Sequence, residues 1–234
     1  MFQFKQFAVD QTGCAMKINT DGVLLGAIVN ADSPQTILDI GTSTGVIALM
    51  LAQRFTDARI DAVEIDESAA QTAERNFSSS PFEEKPTVYP TSFEDYFTRF
   101  PERKYDLIVS NPPFYIDSLK SPTEKKSLAK HTDVDFFGRL FKSITNHLTP
   151  NGFCWLIVPA AIGEMLKLLA TDNRMFLQRI INVQSYPDSE AHRIIVCFGF
   201  NKVPVESSRL SIYKAVNVYS DEYEKLLQPY FLAF

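Results

Sequence analysis

Thr36-Ile37-Leu38-Asp39-Ile40-Gly41-Thr42-Ser43-Thr44-Gly45-Val46-Ile47-Ala48-Leu49-Met50-Leu51 is the stretch that decides the fold. Its first five residues read as a short buried strand ending at Asp39-Ile40-Gly41, and Val46 to Arg54 reads as a helix. The turn between them has glycine at both ends. Gly41 permits a tight turn and lets a ligand approach the backbone, and Gly45 allows the helix to start close to the strand. A helix N-terminus opening from such a turn offers free N–H donors to a ligand carboxylate or phosphate. A glycine-bearing turn by itself is also consistent with a plain strand-to-helix connection. Its weight comes from standing at the head of a strand–helix series.

That series continues to both sides of the sequence's midpoint. Arg59 to Ile65 is expected as a strand, Glu67 to Phe77 as a helix, Thr87 to Tyr89 as a brief strand, Phe93 to Phe97 as a brief helix and Tyr105 to Ser110 as a strand. Tyr115 to Thr132 reads as a long polar loop, Val134 to Leu148 as a helix, Phe153 to Val158 as a strand and Ala161 to Thr171 as a helix. Phe176 to Tyr186 and Arg193 to Phe200 follow with no helix between them and are expected as an antiparallel edge hairpin. Repeated strand–helix units imply a mostly parallel, doubly wound α/β sheet, here of seven strands. No linker divides the chain, so 1–234 is expected to be a single domain. Residues 1–30 form an N-terminal extension: strands at Phe2 to Val9 and Cys14 to Ile18, then a helix over Val23 to Asn30 capped by Thr20 or Asp21.

Two further motifs carry chemistry. Glu64 ends the second strand of the series, roughly twenty residues past the glycine turn, where an acidic side chain can accept both ribose hydroxyls of a nucleotide or nucleoside. Asp66, immediately before the next helix, suits a capping role better. Asn111-Pro112-Pro113-Phe114 stops the fourth strand. Its prolines cannot continue a hydrogen-bonded ladder, so nearby carbonyls are left to face a substrate. Asn111 adds an acceptor oxygen, and Phe114 adds a face on which a planar base can stack.

Composition narrows the class. The chain is 45% hydrophobic and 22% charged, ordinary for a folded globular protein, with a net charge of −5 that argues against non-specific binding of nucleic acid. Its longest apolar run, Phe153 to Ile162, is about half of a membrane span, and no secretion signal is read at the N-terminus. The three cysteines, Cys14, Cys154 and Cys197, form no CxxC pair, so neither a zinc site nor a disulfide framework is expected, and a reducing cytoplasm fits. His131, His147 and His192 read as capping or surface groups. Lys120, Lys125, Lys126 and Lys130, near the Asn-Pro-Pro-Phe turn, would contact phosphates if the ligand is RNA. Phe2, Phe4 and Phe7 alternate with Lys5, and either meet RNA or pack on the core.

Taken together, these residues resemble the class I S-adenosylmethionine-dependent methyltransferases, and within them the amino-methyltransferases with an Asn-Pro-Pro-aromatic motif. Phe2-Gln3-Phe4-Lys5-Gln6-Phe7, Met16-Lys17 and Thr20-Asp21-Gly22-Val23-Leu24-Leu25-Gly26 are similar to the bacterial tRNA1(Val) adenine(37)-N6-methyltransferase family, over nearly the whole chain including Tyr219 to Phe234. The resemblance implies a Rossmann-like fold, S-adenosylmethionine as cofactor and a tRNA substrate, with no metal, no membrane and no obligate protein partner. It implies that Asp39, Gly41, Thr42 and Gly45 hold the methionine end of the cofactor, that Thr20 and Asp21 close over that end, and that Glu64 takes the ribose hydroxyls. Asn111, Pro112, Pro113 and Phe114 would hold the target base, and Lys5, Lys120, Lys125, Lys126 and Lys130 the RNA. The sequence departs from the pattern twice. Ser43 stands where a second glycine is common, and Thr91-Ser92-Phe93 replaces the usual acid beside the adenine, leaving a hydrogen bond from Ser92 and stacking by Phe93. Related sites methylate a guanine amine of ribosomal RNA or a protein glutamine amide, and these remain alternatives. A dinucleotide-dependent oxidoreductase fits less well, because Gly41 and Gly45 are not spaced as G-x-G-x-x-G. A non-catalytic nucleoside-binding module would leave Asn111 to Phe114 without a role.

Overall fold

The computed structural model describes residues 1–113 and 124–234, with the backbone alone over 124–133. A small hairpin, β1 (Phe2–Gln3) and β2 (Ala8–Val9), precedes helix α1 (Thr20–Ile28). The alternating series follows: β3 (Thr36–Ile40), α2 (Val46–Arg54), β4 (Arg59–Glu64), α3 (Glu67–Ser79), β5 (Thr87–Pro90), α4 (Phe93–Arg99) and β6 (Tyr105–Ser110). After it come α5 (Glu124–His147), β7 (Leu148–Pro159), α6 (Gly163–Asp172), β8 (Phe176–Gln184), β9 (Ala191–Gly199), β10 (Glu206–Ser211), the ribbon β11 (Tyr213–Ala215) and β12 (Val218–Tyr219), and α7 (Asp221–Leu227).

Among the described residues one eight-stranded sheet runs in the order β10-β8-β9-β7-β6-β3-β4-β5. Every neighbouring pair is parallel except those made by β9, which lies antiparallel between β7 and β8. The fold is the doubly wound, Rossmann-like sheet expected, with one strand more. The added strand is β10, which pairs parallel to β8 and so moves the β8–β9 hairpin inward from the edge. Its sequence, Glu-Ser-Ser-Arg-Leu-Ser, has no apolar alternation because it is an exposed edge strand, and polar residues there oppose pairing with a further chain.

Side chains alternate across the sheet with period two. Ile37, Ile60, Ala62, Leu107, Val109, Trp155 and Ile157 face the layer of α1, α2, α3 and α7, whereas Leu38, Val63, Ile108, Cys154, Leu156 and Val158 face α4, α5 and α6. Burial on both faces explains why these strands read as continuous apolar runs. Phe4 and Phe7 are buried and stack at 4.5 Å, and Phe2 and Phe4 meet Phe231, so the N-terminal aromatics pack on the core.

Three local expectations change. Residues 14–18 form no strand, since the hairpin closes earlier through β2. Asn19 rather than Thr20 or Asp21 caps α1, with its extended backbone letting Oδ1 accept from Gly22 N at 2.9 Å. The polar stretch before Val134 is helical from Glu124, ahead of the apolar stripe Phe137, Leu140, Phe141 and Ile144 that buries α5. Glu, Lys, Leu and Ala are good helix formers without an apolar face, and their polarity reads as loop.

One buried charge ties the layers together. Asp61 on β4 accepts at one oxygen from Arg103 Nη1 (3.0 Å), Tyr105 OH (2.7 Å) and Tyr96 OH (3.0 Å), joining β4, α4 and β6. The Arg103 guanidinium also lies 3.9 Å over the Phe100 ring. Asp61→Ala removes the carboxylate that this cation and the two phenols share, leaving a partly buried cation without its counter-charge, and should lower the free energy of unfolding by about 3 kcal/mol. A urea titration showing an unchanged midpoint would contradict this role.

Candidate active site

The chain enters the sheet at β3, proceeds outward through β4 to β5, and returns to β6 on the other side of β3. Beyond the carboxyl ends of β3 and β6, where the order reverses, a doubly wound sheet leaves a crevice. A cavity of about 430 Å3 opens there. Its wall is supplied by the turn after β3 (Gly41, Ser43), the tip of β4 (Glu64, Ile65, Asp66), the residues after β5 (Thr91 to Glu94) and those after β6 (Asn111 to Pro113). Ala15 and Met16 cover it from the N-terminal extension, and Phe136 and Arg139 from α5. Ser110 Oγ donates to the Ile40 carbonyl at 2.8 Å, joining the two strand ends.

The turn is left-handed at three positions: Gly41 (φ +73°), Ser43 (φ +50°) and Gly45 (φ +81°). A Cβ on Gly41 would meet nothing within 4 Å, so that side of the backbone is open. A Cβ on Gly45 would lie 2.4 Å from the Phe77 ring of α3, so glycine is required there by conformation and by space. Ser43 takes the left-handed conformation where a glycine was the usual residue, and its Oγ donates to Met16 O at 3.1 Å. Gly41 N and Thr42 N both donate to Val63 O (2.8 and 3.1 Å), stitching the turn to β4.

Two carboxylates lie at this junction. Glu64 accepts from Ser43 N at Oε2 (2.8 Å) and from Asp66 N at Oε1 (2.9 Å), and is 8% exposed. Asp66 caps α3 by accepting from Ala69 N at 2.7 Å, as its position suggested. Asp39 is fully buried beneath the turn. Thr42 Oγ1 donates to its Oδ2 at 2.6 Å, while Oδ1 has no hydrogen-bond partner among the described residues. Burial pushes its carboxyl up to about 7, opposed by the Thr42 bond and reinforced by the nearby Glu64.

The other expected residues fall as follows. Ser92 lines the cavity and caps α4, its Oγ accepting from Asp95 N and donating to Asp95 Oδ2 (both 3.0 Å). Phe93 lines it too, edge-on to Phe136 at 5.8 Å. Thr20 and Asp21 open α1 beside the cavity and are not part of its wall. The Asp21 carboxylate accepts from Arg193 Nε at 2.8 Å. Lys5 donates from Nζ to the carbonyls of Gln228 (2.6 Å) and Phe234 (2.8 Å), which ties the N-terminus to the C-terminal tail. Phe114 and Lys120 lie outside the described residues. Lys125, Lys126, Lys130 and His131 stand on the α5 backbone with their side chains outside the described set. His147 is buried against Phe97 at 4.0 Å, its Nδ1 at Ser143 O, and burial lowers its pKa. His192 is exposed.

Sequence reasoning missed Ile65, which is 76% exposed on the cavity wall. An apolar residue directly after the strand-ending acid was its one signal. It also missed Met16, Phe136 and Arg139, which reach the cavity from distant elements. Arg139 Nε donates to Glu94 Oε1 at 3.1 Å. Among the described residues no group of acids, histidines and cysteines could hold a metal ion, and no helix is long and apolar enough to cross a membrane.

Comparison with known proteins agrees with this geometry. Residues 14–171 match the methyltransferase small domain family. A tRNA1(Val) (adenine(37)-N6)-methyltransferase of Pedobacter heparinus is 45% identical over 233 residues, 100% of this chain and 98% of the relative. One of Bacteroides thetaiotaomicron is 40% identical over 232 residues, 99% and 97% of the two chains. Among solved structures, a protein described as a predicted O-methyltransferase of Agrobacterium tumefaciens superposes with a TM-score of 0.69, covering 90% of this chain and 96% of its own, at 16% identity. That likeness establishes the fold.

The Asp39 carboxyl gives a pH signature. An acid whose pKa is raised by folding, from 3.8 to about 7, costs stability progressively as pH rises between those values. Asp39→Asn removes that cost, so its gain in melting temperature over the parent, without ligand, should be larger at pH 8 than at pH 5. Equal differences at the two pH values would show that this carboxyl does not titrate in that range.

Proposed function

The chain belongs to the methyltransferase small domain family and to the family of tRNA1(Val) (adenine(37)-N6)-methyltransferases, and from that premise we propose that it transfers the methyl group of S-adenosylmethionine to N6 of adenine 37, beside the anticodon of tRNA1(Val). The observation that carries this reading is the meeting of Asn111-Pro112-Pro113 after β6 with Gly41 and Glu64 across the switch point of the sheet. One side has the groups a nucleoside cofactor needs, and the other has acceptors for an amine. The whole chain is read as a single methyltransferase domain.

The residues present fit the cofactor. The open side of Gly41 admits a ligand against the backbone, and the buried Asp39 supplies acidic character beneath the methionine end, with Thr42 and Gly45 shaping the turn. Each Glu64 oxygen takes one backbone N–H and keeps acceptor capacity for ribose hydroxyls. Ile65 and Phe93 offer apolar walls for the adenine, with Ser92 at its edge. When bound, S-adenosylmethionine supplies an electrophilic methyl group on a sulfonium.

The exocyclic amine of adenine is a weak nucleophile because its lone pair is delocalised into the ring. Asn111 Oδ1 and the Pro112 carbonyl would each accept one of its hydrogens and favour a more tetrahedral nitrogen, whose lone pair then projects out of the ring plane. Pro112 and Pro113 hold those acceptors rigidly. Catalysis is then positioning plus fixed dipoles, and no strong base is needed because the proton leaves after the methyl is transferred. The described cavity wall contains neither histidine nor cysteine, which fits that scheme. Phe114 would stack on the base, and Lys120, Lys125, Lys126 and Lys130 would meet phosphates, because a loop nucleotide can be splayed out of its stack. Lys5, held on the C-terminal tail, would contact RNA from there.

The test is transfer of tritium from labelled cofactor to total RNA and to protein, followed by nucleoside analysis. N6-methyladenosine in tRNA is expected; label in guanine or in protein glutamine would overturn the assignment. Asn111→Ala should lower the single-turnover rate by roughly 2–4 kcal/mol in activation free energy while leaving substrate affinities nearly intact, since the lost interaction forms mainly in the transition state. A near-parental rate on an unmodified tRNA would reduce Asn111 to a strand-ending turn residue.

A further inference from the structure

The first turn of α1 touches the site from the side. Asn19 Oδ1 accepts from Gly22 N, and a Cβ built on Gly22 would stand 3.5 Å from Asn19 Oδ1 and 3.9 Å from Asn111 Nδ2. Those are ordinary contact distances, so the first turn of α1 lies directly beside the Asn111 amide. The amide nitrogen faces the turn, and the oxygen is the opposite end of the same planar group.

A contact from far along the chain fixes the turn. Asp21, in that first turn, is held by Arg193 through Nε at 2.8 Å, and Arg193 Nη1 donates to the His192 carbonyl at 3.1 Å. Arg193 sits near the start of β9, paired in register with Pro159 at the carboxyl end of β7, the strand beside β6. The ion pair thus spans 172 positions of sequence and ties α1 to the same sheet edge from which Asn111 emerges. Both partners are about one-fifth exposed, so the pair is partly shielded from water and geometrically constrained.

We infer that Arg193 is a positioning residue for methyl transfer, holding the first turn of α1 through Asp21 so that the Asn111 amide presents its oxygen to the amine. The inference rests on the role proposed above for Asn111. It gives Asp21 a different part from the one the resemblance implied, acting on Asn111 through α1 rather than closing over the cofactor. A misplacement of about 1 Å in such a group is enough to cost up to 100-fold in rate.

Arg193→Met, Arg193→Lys, Asp21→Asn and Asn111→Ala, alone and in pairs, test this on the full chain with an unmodified tRNA1(Val) transcript. Single-turnover rates are read beside cofactor affinity by calorimetry and a thermal melt. Arg193→Met and Asp21→Asn should each slow transfer about tenfold with cofactor affinity changed less than about twofold, and the double variant should be no slower than either. Arg193→Lys should restore part of the rate. In the Asn111→Ala background Arg193→Met should have no further effect, which a general loss of structure would not reproduce. A rate within about twofold of the parent for both single variants, full additivity with Asn111→Ala, or a loss lying wholly in cofactor affinity would overturn the inference. If Arg193→Met does not fold, Asp21→Asn carries the same rate expectation. A failure of the Asn111 reading shows separately, as a parental rate for Asn111→Ala alone.

Discussion

The left-handed turn from Gly41 to Gly45 is the constraint on which the molecule depends. To pass from β3 into α2 so abruptly, the backbone enters the left-handed region three times, and at Gly45 the Phe77 ring occupies the space of any side chain. At Ser43 the same region costs of order 1 kcal/mol for a residue with a Cβ. That cost is offset by what the turn gathers: Gly41 N and Thr42 N on Val63 O, Ser43 N on Glu64, and the Thr44 carbonyl on Asn76 Nδ2 of α3 at 2.8 Å. Asn76 in turn brackets Asp10, donating to its carbonyl and accepting its N–H, and Thr72 Oγ1 donates to Thr12 O. The N-terminal extension is thereby laid across α3 and delivers Ala15 and Met16 to the cavity.

Three acidic side chains buried in or beside the same sheet show how differently a carboxylate can be accommodated. Asp61 has a guanidinium and two phenols, and Glu64 has two backbone N–H groups. Asp39 has one side-chain donor, the Thr42 hydroxyl, and burial lifts its pKa to about 7. Desolvation of a charged group is costly unless compensated. The under-compensated carboxylate is the one directly beneath the glycine turn of the cavity, whereas the well-compensated Asp61 holds layers together. A strained backbone at Ser43 and an under-compensated carboxylate at Asp39 therefore lie together at the carboxyl end of β3, as is common where function resides.

The central strands were legible because β3, β4, β6 and β7 are covered on both faces, so their sequences are short apolar runs closed by glycine, acid or proline. Glu64, Asp66 and Asn111 could be placed from the same logic, since each ends a strand at the crevice edge. What escaped lacked a local signal. β10 is polar because it is an edge, the start of α5 is polar because the apolar stripe begins later, and Asn19 competes for the cap with two neighbours of equal aptitude. The pairs Arg193–Asp21 and Arg139–Glu94, and the bonds by which Lys5 closes the N-terminus on the C-terminal tail, are made by residues 172, 45 and more than 200 positions apart. No window of sequence contains them.

Chain order also divides the work of the site. The first half of the sheet, β3 to β5, builds the wall suited to a nucleoside cofactor from backbone turns and acids. The return to β6 then brings Asn111 and the prolines to the opposite wall, with Ser110 bonded to Ile40 where the halves meet. In the proposed reaction, electrophile and nucleophile would be presented by separate turns anchored at the ends of adjacent parallel strands. For the proposed methylation of an amine this matters more than any acid or base. The reacting atoms must approach in line, and a rigid juxtaposition supplies in advance the entropy that a bimolecular encounter would lose. Beside that frame the Arg193–Asp21 pair reaches across 172 positions of sequence to hold the turn of α1 that adjoins Asn111, which is where the inferred positioning of the amide would act.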